Sequence, residues 1–503
     1  MNLVRYAFLI FGFLGMVDLY GQGEKPNILL IYTDQHRYDA LGVAGNAVIK
    51  TPNIDKLAEL GVYFSHAFAT SPVCMPSRWS IHTGMYTTSH QCYSNHHPGV
   101  VPSTSLPLEL KKAGYENILI GKNHSFLNEK EFDSIIPTPD NGYQFSVKRM
   151  ARQAAPWPVE EDPMHLMTSE AIDLIEDKNT NKPFFVWLSY LYPHTPYEVP
   201  EPYFSMYKND DFPETKNEIN SLMAAGKPFR QVFHQENNDR LLPFNQQEIR
   251  LMRQTYYGMV SLIDDEIARL LAYLDKNGLR ENTLIIFTSD HGDYLGDHEM
   301  FTKSPALYDC LLRVPLIISW KGKIKSNLIS DQLISQVDIM PTILSLLDLP
   351  IPDQVQGLDI TDYLLSGQTE KPVREVVFAE YGIPGEPFNR EKLEKMYPQY
   401  TQDPIDWAEG IPWEANPISL AGRFRMARTH SWKYVQNEGD VDELYDLKND
   451  PDELVNLIDL PRHQLIQENL RKDLDVWKNN LPGIEKDQED YVTPFIEKYL
   501  LKK

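Results

Sequence analysis

The chain has 503 residues, 48 basic against 71 acidic, for a net charge of -23. That balance excludes a nucleic-acid surface and nonspecific attraction to polyanions, so an anionic substrate needs a local basic pocket. Apolar residues at 42% and charged residues at 24% describe a soluble globular protein, neither disordered nor a membrane bundle, and the length accommodates one large core plus a smaller second unit.

In chain order, Arg5 precedes the apolar run AFLIFGFLGMV, Ala7 to Val17, far short of the ~20 residues a spanning helix needs. It reads as a signal peptide over residues 1–23, with the mature chain starting near Glu24, in the periplasm or secreted. No cysteine lies near the cleavage region, so a membrane anchor is not indicated. Short β-rich runs then alternate with helical patterns: NILLIYT (Asn27 to Thr33), NILI (Asn117 to Ile120), PFFVWLSYLY (Pro183 to Tyr192), TLIIFTS (Thr283 to Ser289) and VPLIISW (Val314 to Trp320). TPNIDKLAELG (Thr51 to Gly61) has the Thr-Pro entrance and glycine exit of a capped helix, and apolar residues three and four apart predict a long helix from Met252 to Gly278. This alternation predicts an α/β catalytic domain with a largely parallel sheet over residues 24–370. The polar, proline-spotted stretch from Pro196 to Gln247 reads as a surface excursion walling a binding site. After about Pro372 the runs EVVFAE, FRMART and WKYVQN predict a small antiparallel sheet, covered by a helix from about Pro461, as a C-terminal subdomain over residues 371–503.

Four of these runs end in polar residues: Asp34 and Gln35, Lys122 and His124, His194, Asp290 and His291. Taken singly, such residues are turn or cap residues. In an open parallel sheet the carboxyl ends of the strands gather along one edge, where ligands bind, and that edge would hold oxygen ligands, nitrogen bases and an ammonium. The stretch SPVCMPSRWSIHTG (Ser71 to Gly84) adds a thiol at a helix entrance, because Pro76 belongs in a first helical turn. Unpaired backbone N–H groups and Arg78 make that entrance an anion pocket. The residue types leave nucleophile, metal ligand, modification site and buried filler open for Cys74. Three cysteines are too few for a disulfide framework, and whether Cys92 and Cys310 pair is left open.

CMPSR matches the Cys-x-Pro-x-Arg core of the type I sulfatases, in the alkaline phosphatase-like superfamily. TDQ, GKNH, PHTPY, SDHGD and TKSPALYDCLLRVPLII follow in that family's order, and WKYVQNEGDVDELYDLKNDPDELVNL resembles its closing sheet motif. The resemblance runs from about Pro26 to Leu457. It implies a three-layer sandwich in which Cys74 is oxidised by a maturase to formylglycine, whose hydrate attacks the sulfur of a sulfate ester and then releases sulfate. By residue-by-residue transfer Asp34, Gln35, Asp290 and His291, with residue 74, hold one divalent metal. Arg78 supports the formylglycine hydrate, Lys122 and Lys303 bind sulfate oxygens, His124 assists breakdown of the intermediate, and His194 protonates the leaving oxygen. Many members carry Asp where this chain has Gln35 and Asn where it has His291. Ca2+ is the expected ion, with Mg2+ or Mn2+ as alternatives; the imidazole moves the preference toward manganese or zinc. The expected substrate is a sulfated glycan, with no nucleic-acid partner. Two other readings are a phosphonate or phosphodiester hydrolase, in whose members the Gln and His pair also occurs, and a catalytically silent glycan-binding protein.

Outside this set, Asp293 and Asp297 read as loop-holding residues, and SHQCYSNHHPG (Ser89 to Gly99) as a loop at the pocket rim. GRFRMARTHSWK is the one dense basic segment, from which Arg423, Arg425 or His430 bind further anionic groups of a glycan. Trp157, Trp407 and Trp413 are candidates for sugar stacking.

Overall fold

The computed structural model describes residues 25–95, 97, 99–139, 153–176, 182–212, 215, 226–241, 245–303, 306–387, 389–396 and 421–482. Residues 1–23, read above as a signal peptide, and Trp407 and Trp413 lie outside them. Among the described residues no helix is long and apolar enough to cross a membrane.

The main sheet contains β1 (Asn27–Thr33), β2 (Val62–Phe68), β3 (Glu116–Gly121), β4 (Ser134–Ile136), β5 (Phe184–Ser189), β6 (Thr283–Ser289), β7 (Arg313–Val314), β8 (Leu316–Ser319) and β9 (Leu328–Ser335). Their order is β4-β3-β5-β1-β6-β8-β2-β7, with β9 also pairing β2. β1 is parallel to both β5 and β6, and β3 is parallel to β4 and β5. Every residue of β1 is buried, as an apolar, β-branched run must be when both faces of a parallel sheet are covered. Alternation splits the strand between two cores: Ile28, Leu30 and Tyr32 face one, Leu29 and Ile31 the other.

On the first face lie α2 (Cys74–Thr83), the helix Leu106–Lys112 and the helix Ile339–Leu346; on the second lie α1 (Pro52–Glu59), the helix Pro163–Glu176 and the long helix Gln246–Lys276. The result is a three-layer α/β/α sandwich. The long helix starts six residues earlier than its apolar periodicity indicates, because Asn245 and Glu248 form a capping box that extends it through a polar turn.

Two other differences from the sequence reading have local causes. VPLIISW is not one strand: it divides at Pro315 into β7 and β8, both antiparallel to β2, with β8 also antiparallel to β6, since proline cannot donate to a ladder. The excursion from Pro196 contains a helix, Phe229–Leu241.

The second sheet is antiparallel in the order β10 (Val377–Tyr381), β11 (Phe424–Arg428), β12 (Trp432–Asn437) and β13 (Glu443–Asp446). One face carries Val377, Ala379, Met426 and Val435 into the same apolar core as β1. The other packs Ala427, Tyr434 and Leu444 against Leu470 and Leu474 of the helix Gln464–Asn480. Trp477 of that helix stacks on Phe378 at 4.8 Å between ring centroids.

Candidate active site

Because β1, β3, β5 and β6 run parallel, the residues that follow them emerge at one edge. Asp34 and Gln35 leave β1, Lys122 leaves β3, Ser189 ends β5, and Asp290 and His291 leave β6. Gly121 makes the β3 exit feasible: its φ is +98°, and a Cβ there would lie 2.2 Å from the Ser189 carbonyl oxygen. Gln35 at φ 68° and His124 at φ 41° are non-glycine residues in the left-handed region, strain of the kind that collects at functional sites.

Arg78, one turn into α2, is wholly buried and ties the edge together. Its Nε donates to Asp290 Oδ2 at 2.8 Å and its Nη2 to Asp34 Oδ2 at 2.8 Å. Nη1 donates to the Lys122 carbonyl at 2.7 Å and to Ser189 Oγ at 2.8 Å. Two buried carboxylates on adjacent strands would repel each other; the guanidinium fork answers both with charge-assisted bonds. Lys122 Nζ adds a further cation 2.6 Å from Asp34 Oδ2.

Cys74, the first residue of α2, is 1% exposed. Its Sγ accepts from Lys303 Nζ at 2.9 Å and Lys122 Nζ at 3.5 Å, with His291 Nε2 at 3.2 Å and Asp34 Oδ1 at 3.7 Å. Burial works against the thiolate, but Lys122, Lys303, His291 and a hydrogen bond from His124 outweigh it and hold the thiol well below its ordinary range. His194 Nδ1 donates to the Thr195 carbonyl at 2.6 Å, and its Nε2 accepts from Lys303 Nζ at 3.0 Å. Burial first and Lys303 second depress its pKa, so the resting imidazole is neutral.

One donor atom each from Asp34, Cys74, Asp290 and His291 lies within 4.8 Å of the others, all buried. His291 Nδ1 donates to the Gly292 carbonyl at 2.8 Å, which turns the Nε2 lone pair toward the cluster. Gln35 Oε1 is buried without a hydrogen-bond donor, while its Nε2 donates to Asp293. A buried amide oxygen without a donor, beside two carboxylates and an aimed imidazole, is a donor set that fits a divalent cation.

The other anticipated residues are more scattered. Asp293 accepts from Tyr197 Oη at 2.6 Å and from Leu295 N at 2.7 Å as well as from Gln35, and Asp297 pairs with Arg37 at 2.8 Å. In the histidine-rich loop, Asn95 Oδ1 accepts from Met75 N at 2.9 Å, at the entrance of α2. Arg423 donates to Tyr93 Oη at 2.8 Å and lies over that ring, Arg425 pairs with Glu380 and Glu438, and His430 packs on His66. All three cysteines are free and buried. Sequence reasoning missed Ser189, Asn95 and Gln336, whose Nε2 and Ser77 Oγ both donate to the Asp290 carbonyl. No motif marks them; a serine closing a strand run that also shows His194 was the only signal.

With that geometry established, comparison with known proteins is specific. The Sulfatase family model matches residues 26–349. The chain is 30% identical to an arylsulfatase of Clostridium perfringens over 89% of this chain and 93% of that protein. It is 25% identical to an N-acetylglucosamine-6-O-sulfatase of Bacteroides thetaiotaomicron over 93% and 89%. Among solved structures, a phosphonate monoester hydrolase of Agrobacterium radiobacter superposes with a TM-score of 0.74 at 24% identity, covering 90% of this chain and 96% of that one. The chain belongs to the sulfatase family, within the alkaline phosphatase-like superfamily. It is a sulfuric ester hydrolase.

Proposed function

We propose that this protein is an exported sulfatase that removes sulfate esters from a sulfated polysaccharide or oligosaccharide, with residue 74 as nucleophile after a maturase has converted it to formylglycine. The observation that carries the reading is the placement of Cys74 at a helix entrance, with Lys303, Lys122 and His291 within 2.9 to 3.5 Å of its sulfur. The N-acetylglucosamine-6-O-sulfatase relative supports a glycan as substrate class. The Arg5-led apolar run supports export, with residues 24–370 as the catalytic domain and 371–503 as the subdomain that closes it.

When present, formylglycine supplies a hydrated carbonyl whose hydroxyl is the nucleophile, and a divalent ion, Ca2+ first, held by Asp34, Gln35, Asp290 and His291, supplies positive charge for the sulfate oxygens. The chain's own residues do the rest. Lys122 and Lys303 bind the sulfate oxygens whose charge grows in the transition state. Lys303 and His194, 3.0 Å apart, share a proton at His194 Nε2 for the departing alkoxide. His124, which hydrogen-bonds residue 74, would accept a proton from that residue's side chain. Arg78 keeps both carboxylates in place. Of the basic strand, Arg423 is the cation assigned to the glycan; Arg425 holds Glu380 and Glu438, and His430 packs on His66.

The test is mass spectrometry of the tryptic peptide containing residue 74, from protein co-expressed with a maturase, followed by hydrolysis of nitrophenyl sulfate and of sulfated oligosaccharides. Exchange of the sulfur for an aldehyde oxygen, with sulfate release, is expected. A free thiol in matured preparations overturns the mechanism. Gln35 and His291 favour a phosphonate ester as the second reading, and a nitrophenyl phosphonate cleaved faster than the sulfate selects it.

A further inference from the structure

The atoms around Cys74 have a geometry that a Ca2+ site leaves unused. Sγ lies 3.2 Å from His291 Nε2 and 3.7 Å from Asp34 Oδ1. His291 Nε2 lies 4.0 Å from Asp34 Oδ1 and 3.8 Å from Asp290 Oδ1. An ion with tetrahedral bonds of about 2.0 to 2.3 Å has donor-to-donor edges of about 3.3 to 3.8 Å; these four distances lie within a few tenths of an ångström of that range, and all four donors lie within 4.8 Å of one another. They are also already aimed. Arg78 occupies Oδ2 of both aspartates, which turns the Oδ1 atoms to the cluster side, where the backbone N–H groups of Gln35 and His291 hold Asp290 Oδ1 at 3.1 and 2.9 Å, and the Gly292 carbonyl fixes the imidazole tautomer.

The chemistry of the donors then decides the ion. A sulfur, an imidazole nitrogen and two carboxylates are the ligand types of zinc, whereas calcium takes six to eight oxygens. We propose that the chain whose Cys74 is still a thiol binds a thiophilic divalent cation, Zn2+ as the type case, through Cys74 Sγ, His291 Nε2 and one oxygen each of Asp34 and Asp290. Replacing that sulfur by an oxygen-bearing side chain switches the same site to hard cations. The modification state of one residue thereby selects the class of metal. Lys303 Nζ, 2.9 Å from Sγ and 3.4 Å from His291 Nε2, must give up the imidazole when the ion binds, while a metal-bound thiolate keeps lone pairs that accept hydrogen bonds from it and from Lys122. Thiolate and two carboxylates bring three negative charges to the ion, and the neutral His291 adds none.

The inference concerns the unmodified chain and stands apart from which ester the mature enzyme cleaves. Its test uses full-length protein produced without a maturase, confirmed by mass to hold a thiol at residue 74, stripped with chelator and titrated with Co2+ as spectroscopic probe. A sulfur-to-cobalt charge-transfer band with tetrahedral ligand-field bands is expected. The band is lost in Cys74→Ser and kept in the Cys92→Ala, Cys310→Ala double variant; Zn2+ displaces the cobalt and Ca2+ does not. Circular dichroism verifies folding, and if Cys74→Ser does not fold, Asp34→Asn serves in its place, with weaker Co2+ binding expected. A folded chain without the band, a band that survives Cys74→Ser, Co2+ binding unchanged in Asp34→Asn, or Ca2+ displacing Co2+ as readily as Zn2+ overturns the proposal.

Discussion

At the scale of single residues, Arg78 shows how much a side chain can be asked to do. Its five N–H donors serve two carboxylates, a carbonyl and a hydroxyl, which a point-charge ammonium cannot reproduce. Arg78→Lys therefore leaves a buried carboxylate without its partner, and urea unfolding should show a loss of roughly 3 to 5 kcal/mol, together with lost turnover. Stability within 1 kcal/mol of the parent would show that the fork is not what holds the edge. The residues of this site were legible in the sequence to the extent that they sit in motifs at strand ends: Asp34, Lys122, His194, Asp290 and Cys74 all do. Asn95 and Ser189 were not, because a hydrogen bond across 20 or 111 residues leaves no local pattern.

At the scale of elements, the wholly buried strands were the easiest to read: β1 and β6 have the bounds that their runs NILLIYT and TLIIFTS give them, as does the largely buried β12 with WKYVQN. β2 and β9 were passed over, since VYFSHAF and LISDQLIS interleave polar residues with apolar ones and only their mutual pairing explains them. The helix Gln464–Asn480 is amphipathic with a narrow apolar stripe, and only Leu470 and Leu474 are buried in it. So few anchors make each one count. Leu474→Ala should cost about 2 to 5 kcal/mol, as large-to-small core changes do, and should raise proteolysis of the C-terminal sheet. An unchanged thermal midpoint would mean that the helix is not needed to seal β11 and β12.

For the whole molecule, the two sheets are joined by charge as well as by apolar core. Arg428 of β11 and Lys433 of β12 pair with Asp309, and Glu453 accepts from Asp309 N at 2.6 Å and meets Lys433 Nζ at 2.5 Å. Burial and the nearby Asp309 outweigh Lys433 and raise the Glu453 pKa to about 7 from 4.5. The folded chain thus keeps a proton there that the unfolded chain has already released. The contribution is fully present below about pH 4.5 and is lost as pH rises through 7, at up to about 1.4 kcal/mol per unit. Glu453→Gln should remove that slope, gaining stability over the parent between pH 5 and 8 in denaturant titrations. Parallel stability curves for variant and parent would refute the assignment. Composition foretold an acidic chain with a conventional core; that its two sheets meet at a buried ionic cluster depends on long-range pairing that no window of sequence contains.

The bonds of Arg78 reach 44 residues to Asp34 and Lys122, 111 to Ser189 and 212 to Asp290. Read as a clock, these separations say that the pocket is completed late, only when the chain has been made as far as β6. The finished fold leaves Cys74 1% exposed, so a bulky thiol reagent should label its sulfur in the unfolded chain and not in the folded one.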